Sequence, residues 1–219
     1  MKTLGIIPAR GGSKGIPKKN IKLLCGKPLI AYTIKSALGS ILDRVIVSTD
    51  CAEIAEVSRR YGAEVMMRPN VLAKDDTPTL PVLKDVVDKL DGKYDVVVTL
   101  QPTSPLRTAK HINESLILFE KEYQADSLVS VVEIPHSYSP EKLMTFDGQY
   151  LNGNLQVKRR QDMQEMFARN GAAIYITKIE NLSKYIFGGK ILPYFMRRID
   201  SFDIDDIEDW KMVEKIIGI

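Results

Sequence analysis

Acidic residues are missing from the first 42 positions of this 219-residue chain; cysteine and histidine occur only twice each, and tryptophan once. Each absence removes a class of function. Cys25 and Cys51 are far apart and form no CxxC pair, so they make neither a disulfide framework nor a thiolate metal site. They are expected as buried free thiols in a reducing, cytoplasmic compartment. His111 and His136 fall in no metal-ligand or triad spacing and are expected to be structural. No apolar run approaches the ~20 residues of a membrane-spanning helix. The first such run, Leu4 to Ile7, is cut by Pro8 and is too short for a secretory signal. The aromatic residues are scattered and expected mostly in the core.

What is present is an ordinary globular composition, 44% apolar and 27% charged, long enough for one large domain with a real core. The charge is unevenly placed. Residues 1 to 42 hold eight Lys or Arg, at 2, 10, 14, 18, 19, 22, 27 and 35, whereas the whole chain carries +3, which leaves a net −5 for the remainder. The excess lies in a glycine-rich loop and not along a helix face or among interleaved aromatics. That favours a compact anion such as a nucleotide over nucleic acid.

Apolar runs and helical periodicities alternate along the chain. Strands are expected at Thr3 to Ile7, Arg44 to Ser48, Glu64 to Met67, Asp95 to Leu100 and Ser127 to Ile134. Helices are expected at Pro28 to Leu38, Ala52 to Tyr61, near Leu80 to Leu90, His111 to Glu122 and about Ile207 to Ile217. Val96-Val97-Val98 is apolar on both faces, as a central parallel strand requires. This alternation predicts an α/β, doubly wound, mostly parallel sheet. From Pro135 to about Asn170 the turn signals Ser139-Pro140, Asp147-Gly148 and Asn152-Gly153 predict a small hairpin-rich insertion. The core resumes at Ala172 to Ile176. The expectation is a single domain, 1–219, with the insertion at about 135–170.

Three segments carry chemistry. In Ala9-Arg10-Gly11-Gly12-Ser13-Lys14-Gly15, continuing to Lys19-Asn20, glycines allow amides to approach phosphate oxygens while Arg10 and Lys19 supply charge. The pattern is neither GxGxxG nor a P-loop, but it follows the first strand, where open α/β sheets bind ligands. In Phe202-Asp203-Ile204-Asp205-Asp206, an extended backbone points Asp203 and Asp205 the same way, a pair suited to Mg²⁺ or Mn²⁺. Asp206, Glu208 and Asp209 read instead as the cap and first turn of the last helix. Gln101-Pro102-Thr103-Ser104-Pro105-Leu106-Arg107 is a rigid turn after the most buried strand, able to present Gln101 to a ligand. The loop Arg68 to Thr79 occupies the corresponding place after an earlier strand.

Together with Asn170-Gly171 before Ile174-Tyr175, these segments resemble the acylneuraminate cytidylyltransferases, or CMP-sialic acid synthetases, over nearly the whole chain. The resemblance implies a Rossmann-like nucleotidyltransferase fold and transfer of CMP from CTP to a nine-carbon sugar acid with Mg²⁺ present. It implies that Arg10, Lys19, Asp203 and Asp205 carry the chemistry, the two aspartates holding the metal. Ala9, Arg10, Gly11, Gly12 and Ser13 would bind nucleotide together with Lys19 and Asn20, and Arg68, Thr77 and Thr79 would form the base side. Gln101 and Tyr175 would face the sugar. Arg160 would reach a neighbouring subunit's sugar site, which makes the insertion the interface of a homodimer. Thr79 stands where the family often has serine, and Gly171-Ala172-Ala173 has one alanine more. The competing readings are a related sugar nucleotidyltransferase, of the CMP-Kdo type or using another nucleotide, and a non-catalytic nucleotide-binding protein.

Overall fold

The computed structural model describes residues 1–153, 159, 161, 164–171 and 173–218. The first strand, β1 (Thr3–Pro8), is buried through Ile7 because it lies between two parallel neighbours and under helices on both faces. After it come a small hairpin, β2 (Leu23–Leu24) and β3 (Lys27–Pro28), then α1 (Leu29–Leu38), β4 (Arg44–Thr49), α2 (Ala52–Arg60) and β5 (Glu64–Met67). Next are α3 (Thr79–Asp88), β6 (Val96–Thr99), α4 (Ala109–Lys121) and β7 (Ser127–Glu133). The chain continues through a second hairpin, β8 (Met144–Phe146) and β9 (Leu151–Gly153), to β10 (Phe167–Arg169), β11 (Tyr175–Lys178), β12 (Ile191–Phe195) and α5 (Ile207–Ile217).

Among the described residues the main sheet has eight strands. β6, β1, β4 and β5 run parallel in that order, and β11 joins β6 to β7 with both contacts antiparallel. β12 runs parallel to β7, and β10 pairs antiparallel with Val131–Glu133. The two-residue period sorts the core into layers. Leu4 and Ile6 of β1 pack with Val97, Leu83 and Val86 under α3. Ile7, with Val96 and Val98 of β6, packs on the opposite face against α1, α2 and α4. Each fully buried Leu or Ile contributes roughly 1.5–3 kcal/mol of transfer free energy, so these layers fix the sheet.

Several expectations need correcting. Phe167–Arg169 falls inside the range assigned to the insertion but pairs with β7 in the main sheet. Cys25 is exposed in the turn between β2 and β3, and Cys51, at the N-cap of α2, is half-buried against the core. Tyr138, Phe146 and Tyr150 are exposed, since a two-stranded hairpin has no second layer to cover its apolar side chains. Among the described residues no helix is long and apolar enough to cross a membrane.

Candidate functional site

Because β1, β4, β5 and β6 are parallel, their C-terminal ends deliver Ala9, Asp50, Arg68 and Gln101 to one edge of the sheet. A cavity of about 430 Å³ opens there. Its wall includes Arg10, Ser13, Lys14, Lys19 and Asn20 from the loop after β1, and Arg68, Asp75, Thr77 and Thr79 from the loop after β5. Gln101 and Thr103 follow β6, and Asp203 with Asp205 close the far side.

The chain's two ends are locked together at this cavity. Lys19 Nζ donates to the Ile204 carbonyl (2.8 Å), and Ile204 N–H donates to the Thr103 carbonyl (2.8 Å). Ile204 is fully buried with Ile16, Leu24, Leu29 and Trp210, which turns the flanking aspartates toward the cavity. Two glycines permit this fit. A Cβ on Gly15 would stand 2.5 Å from the Asp205 carbonyl oxygen, and one on Gly171 would stand 2.7 Å from the Asp203 carboxylate. Gly171 also has φ +64, a left-handed conformation that favours glycine.

Electrostatics divide the cavity. Arg10 Nη1 donates to Asp75 Oδ1 (2.6 Å) and to the Lys74 carbonyl (3.2 Å), and Lys14 Nζ lies 3.0 Å from Asp75 Oδ2. Arg68 is buried, with Asp50 at 3.8 Å; burial lowers its pKa and Asp50 opposes the change. The buried Arg68 Nε has no hydrogen-bond partner among the described residues. On the acidic side, Ser104 Oγ donates to Asp203 Oδ1 (3.0 Å). Burial pushes the Asp203 carboxyl up and Asp205 adds to it, while the Ser104 hydroxyl and the Lys19 ammonium pull the other way.

Some expected residues stand elsewhere. Ala9 is buried and donates its N–H to the Ser48 carbonyl. Gly11 and Gly12 line a separate hollow beside Asp50 and Cys51, and the Gly11 N–H donates to Asp50 Oδ1 (3.0 Å). Tyr175 is buried and does not line the cavity; its hydroxyl donates to the Gly171 carbonyl. Asn20 lines the cavity with its amide donating to the Arg10 carbonyl (3.0 Å). Arg160 lies outside the described residues. Asp206 caps α5, accepting from the N–H groups of Glu208 and Asp209, while Asp209 accepts from those of Asp205 and Asp206. His111 shares a capping box with Thr108 at the start of α4.

Asp50, Lys14 and Asp75 were missed as site residues, and Arg107 was given no role. Lys14 sits in the basic loop, but loop position alone does not tell which of its cations faces the cavity. Asp75 gave no signal, because a carboxylate among cations is the opposite of what a phosphate cradle leads one to seek. Arg107 is 1% exposed, and a charged side chain in a turn is expected at the surface.

A family model described as cytidylyltransferase matches residues 4–217. The N-acylneuraminate cytidylyltransferase of Escherichia coli O18:K1:H7 is 35% identical over 225 residues, covering 96% of this chain and 51% of the relative. The chain therefore spans about half the length of that relative. The CMP-N,N'-diacetyllegionaminic acid synthase of Legionella pneumophila is 36% identical over 234 residues, covering 100% of this chain and 97% of the relative. In fold, the chain is similar to a CMP:2-keto-3-deoxy-manno-octonic acid synthetase solved with CTP, at a TM-score of 0.77 and 17% identity, covering 100% and 99% of the two chains.

Proposed function

This chain belongs to the cytidylyltransferase family, and from that premise we propose that it transfers CMP from CTP to the anomeric hydroxyl of a nonulosonic, sialic-type acid, releasing pyrophosphate. One observation carries the reading: a single cavity is lined by Arg10 and Lys14, by the Asp203/Asp205 pair, and by Lys19, whose ammonium is held at the Ile204 carbonyl between those aspartates. That is the division of charge needed by a triphosphate attacked at its α-phosphorus.

Arg10, Lys14 and Lys19 hold and neutralise the phosphates, and Asn20 meets the ribose. Arg68, whose Nε has no acceptor among the described residues, and Thr79 meet the base, with Thr77 beside them. Gln101 meets the sugar acid, and Tyr175 supports that side through the Gly171 carbonyl. Asp203 and Asp205 are hard oxygen donors, and the burial that raises the Asp203 pKa leaves that carboxylate in need of a cation, so the pair fits Mg²⁺ or Mn²⁺. When bound, the metal supplies charge neutralisation at the reacting phosphate. The remaining barrier is lowered by alignment of the sugar hydroxyl with departing pyrophosphate.

The exposed Leu143, Met144, Phe146, Tyr150 and Leu151 of the β8–β9 hairpin support a homodimer formed through the insertion. Two free thiols suit a cytoplasmic enzyme. Pyrophosphate release, with CTP and Mg²⁺ against a panel of nonulosonic acids and Kdo, tests the function. Release with one of the nonulosonic acids is expected, and no release with any member overturns it. Asp205→Ala should lower turnover on the order of 10²–10³-fold with CTP binding little changed. Full activity in that variant would remove the metal assignment.

A further inference from the structure

Arg107 is a buried guanidinium that the proposed reaction does not use. Its Nη1 donates to the Ala173 carbonyl (2.7 Å) and the Gln101 carbonyl (3.2 Å), and its Nη2 donates to Thr33 Oγ1 (2.6 Å). No carboxylate lies within ion-pair distance of it among the described residues. A charge buried against neutral acceptors is costly unless its geometry returns something. Burial pushes this group down to about 9, with Asp203 opposing, so it stays charged at neutral pH.

The three acceptors identify what the geometry returns. Gln101 lies two residues beyond β6 and lines the cavity. Ala173 lies two residues beyond Gly171, the residue packed against the Asp203 carboxylate. Thr33 belongs to α1, whose Ser36 also donates to the Arg107 carbonyl (2.8 Å). The 101–107 turn itself carries Ser104, which donates to Asp203, and Thr103, which receives the Ile204 N–H. Only a planar fork of several donors reaches three diverging acceptors from one buried point.

We infer that Arg107 is a positioning residue for the sugar side of the reaction: it ties the Gln101 turn to the Ala173 segment and thereby sets Gln101 and Asp203 relative to each other. The nucleotide side stands mainly on other elements, the loops after β1 and β5, and meets this turn at one point, where Lys19 reaches the Thr103 carbonyl through Ile204. The inference rests on the proposed cytidylyl transfer, so the parent protein is assayed first. A parent that binds CTP and releases no pyrophosphate with any sugar acid overturns that function, and this inference falls with it.

With an active parent, the test is Arg107→Lys, which keeps the buried charge and loses the fork. Expected is a fall of about 100-fold in kcat/KM for the sugar acid, the scale of a roughly 1 Å misplacement. The KM for CTP and the CTP-induced rise in melting temperature should stay close to parent values. Equal losses toward both substrates, or unchanged kinetics, overturn the inference. If Arg107→Lys does not fold, Thr33→Val decides: a loss of about ten-fold confined to the sugar acid supports the role, since a bond to a charged donor is removed. Parent-like kinetics in Thr33→Val overturn it.

Discussion

Removing the charge of Asp75 should strengthen CTP binding. This carboxylate accepts from Arg10 at 2.6 Å and lies 3.0 Å from Lys14, so one oxygen engages each of two cations assigned to the triphosphate. The Lys14 hydrogen bond, followed by its charge and that of Arg10, holds the Asp75 carboxyl below the usual carboxylate range. Phosphate oxygens can engage the same cations only after Asp75 releases them. The side chains are 34%, 75% and 47% exposed for Arg10, Lys14 and Asp75, so water and salt screen both pairs. Each exposed pair is worth at most a factor of about five in an equilibrium constant, and two sharing one carboxylate less than the product. Asp75→Asn should therefore tighten CTP binding by about 3–10-fold at low ionic strength, measured by calorimetric titration. The gain should shrink in 0.5 M salt, where screening extends over only a few ångströms. Asp76→Asn removes the same charge from a neighbour that does not line the cavity, and it isolates the general field. Weaker CTP binding in Asp75→Asn, or an equal gain in Asp76→Asn, refutes the reasoning.

Gly171→Ala should keep the sheet but reduce turnover on the order of 10²-fold, because the methyl displaces the Asp203 carboxylate; steady-state rates beside a thermal melt check this, and parent-like turnover counts against it. Asp206→Ala removes the acceptor of two N–H groups at the start of α5, which costs about 1 kcal/mol. For a chain of this size that lowers the melting temperature by about 2–4 °C, read by calorimetry. His111 is held neutral: burial lowers its pKa, and its Nδ1 accepts the Thr108 N–H at 3.2 Å. The unfolded chain binds this proton more readily than the fold. The contribution is therefore complete above the unfolded value of about 6.5 and declines as pH falls through it. Denaturant unfolding at pH 7.5 and 5.5 should show a larger loss for the parent than for His111→Gln.

The strands of the sheet centre were legible because Leu4 to Ile7 and Val96 to Val98 are buried on both faces and so read as unbroken apolar runs. β12 was not. Pro193 interrupts Ile191–Phe195, and a proline is tolerated there because, among the described residues, β12 pairs only with β7 and lies at the sheet edge. The line of β10 and β11 was hidden for a different reason. The chain leaves its ladder with β7 after Arg169 and rejoins at Tyr175, and Asn170 fills the gap with bonds to Ser130 and Ser201 that no periodicity encodes. In the site, the period-two argument placed Asp203 and Asp205 on the cavity side of Ile204, since alternation is a local property. The ties made by Asp50, Asp75 and Arg107 run between segments tens of residues apart, and nothing in a neighbouring residue announces them.

The bond from Lys19 to the Ile204 carbonyl spans 185 positions of the chain. Contacts of that separation carry a loop-closure cost that is recovered only when most of the fold is in place. During synthesis the basic loop leaves the ribosome first and waits for the acidic segment, which emerges only after every strand of the main sheet. A nascent chain can assemble the parallel strands β1, β4, β5 and β6 while one wall of the cavity does not yet exist. A truncation that spares every one of those strands but stops before Asp203 should therefore yield a scaffold with cations and no counterpart.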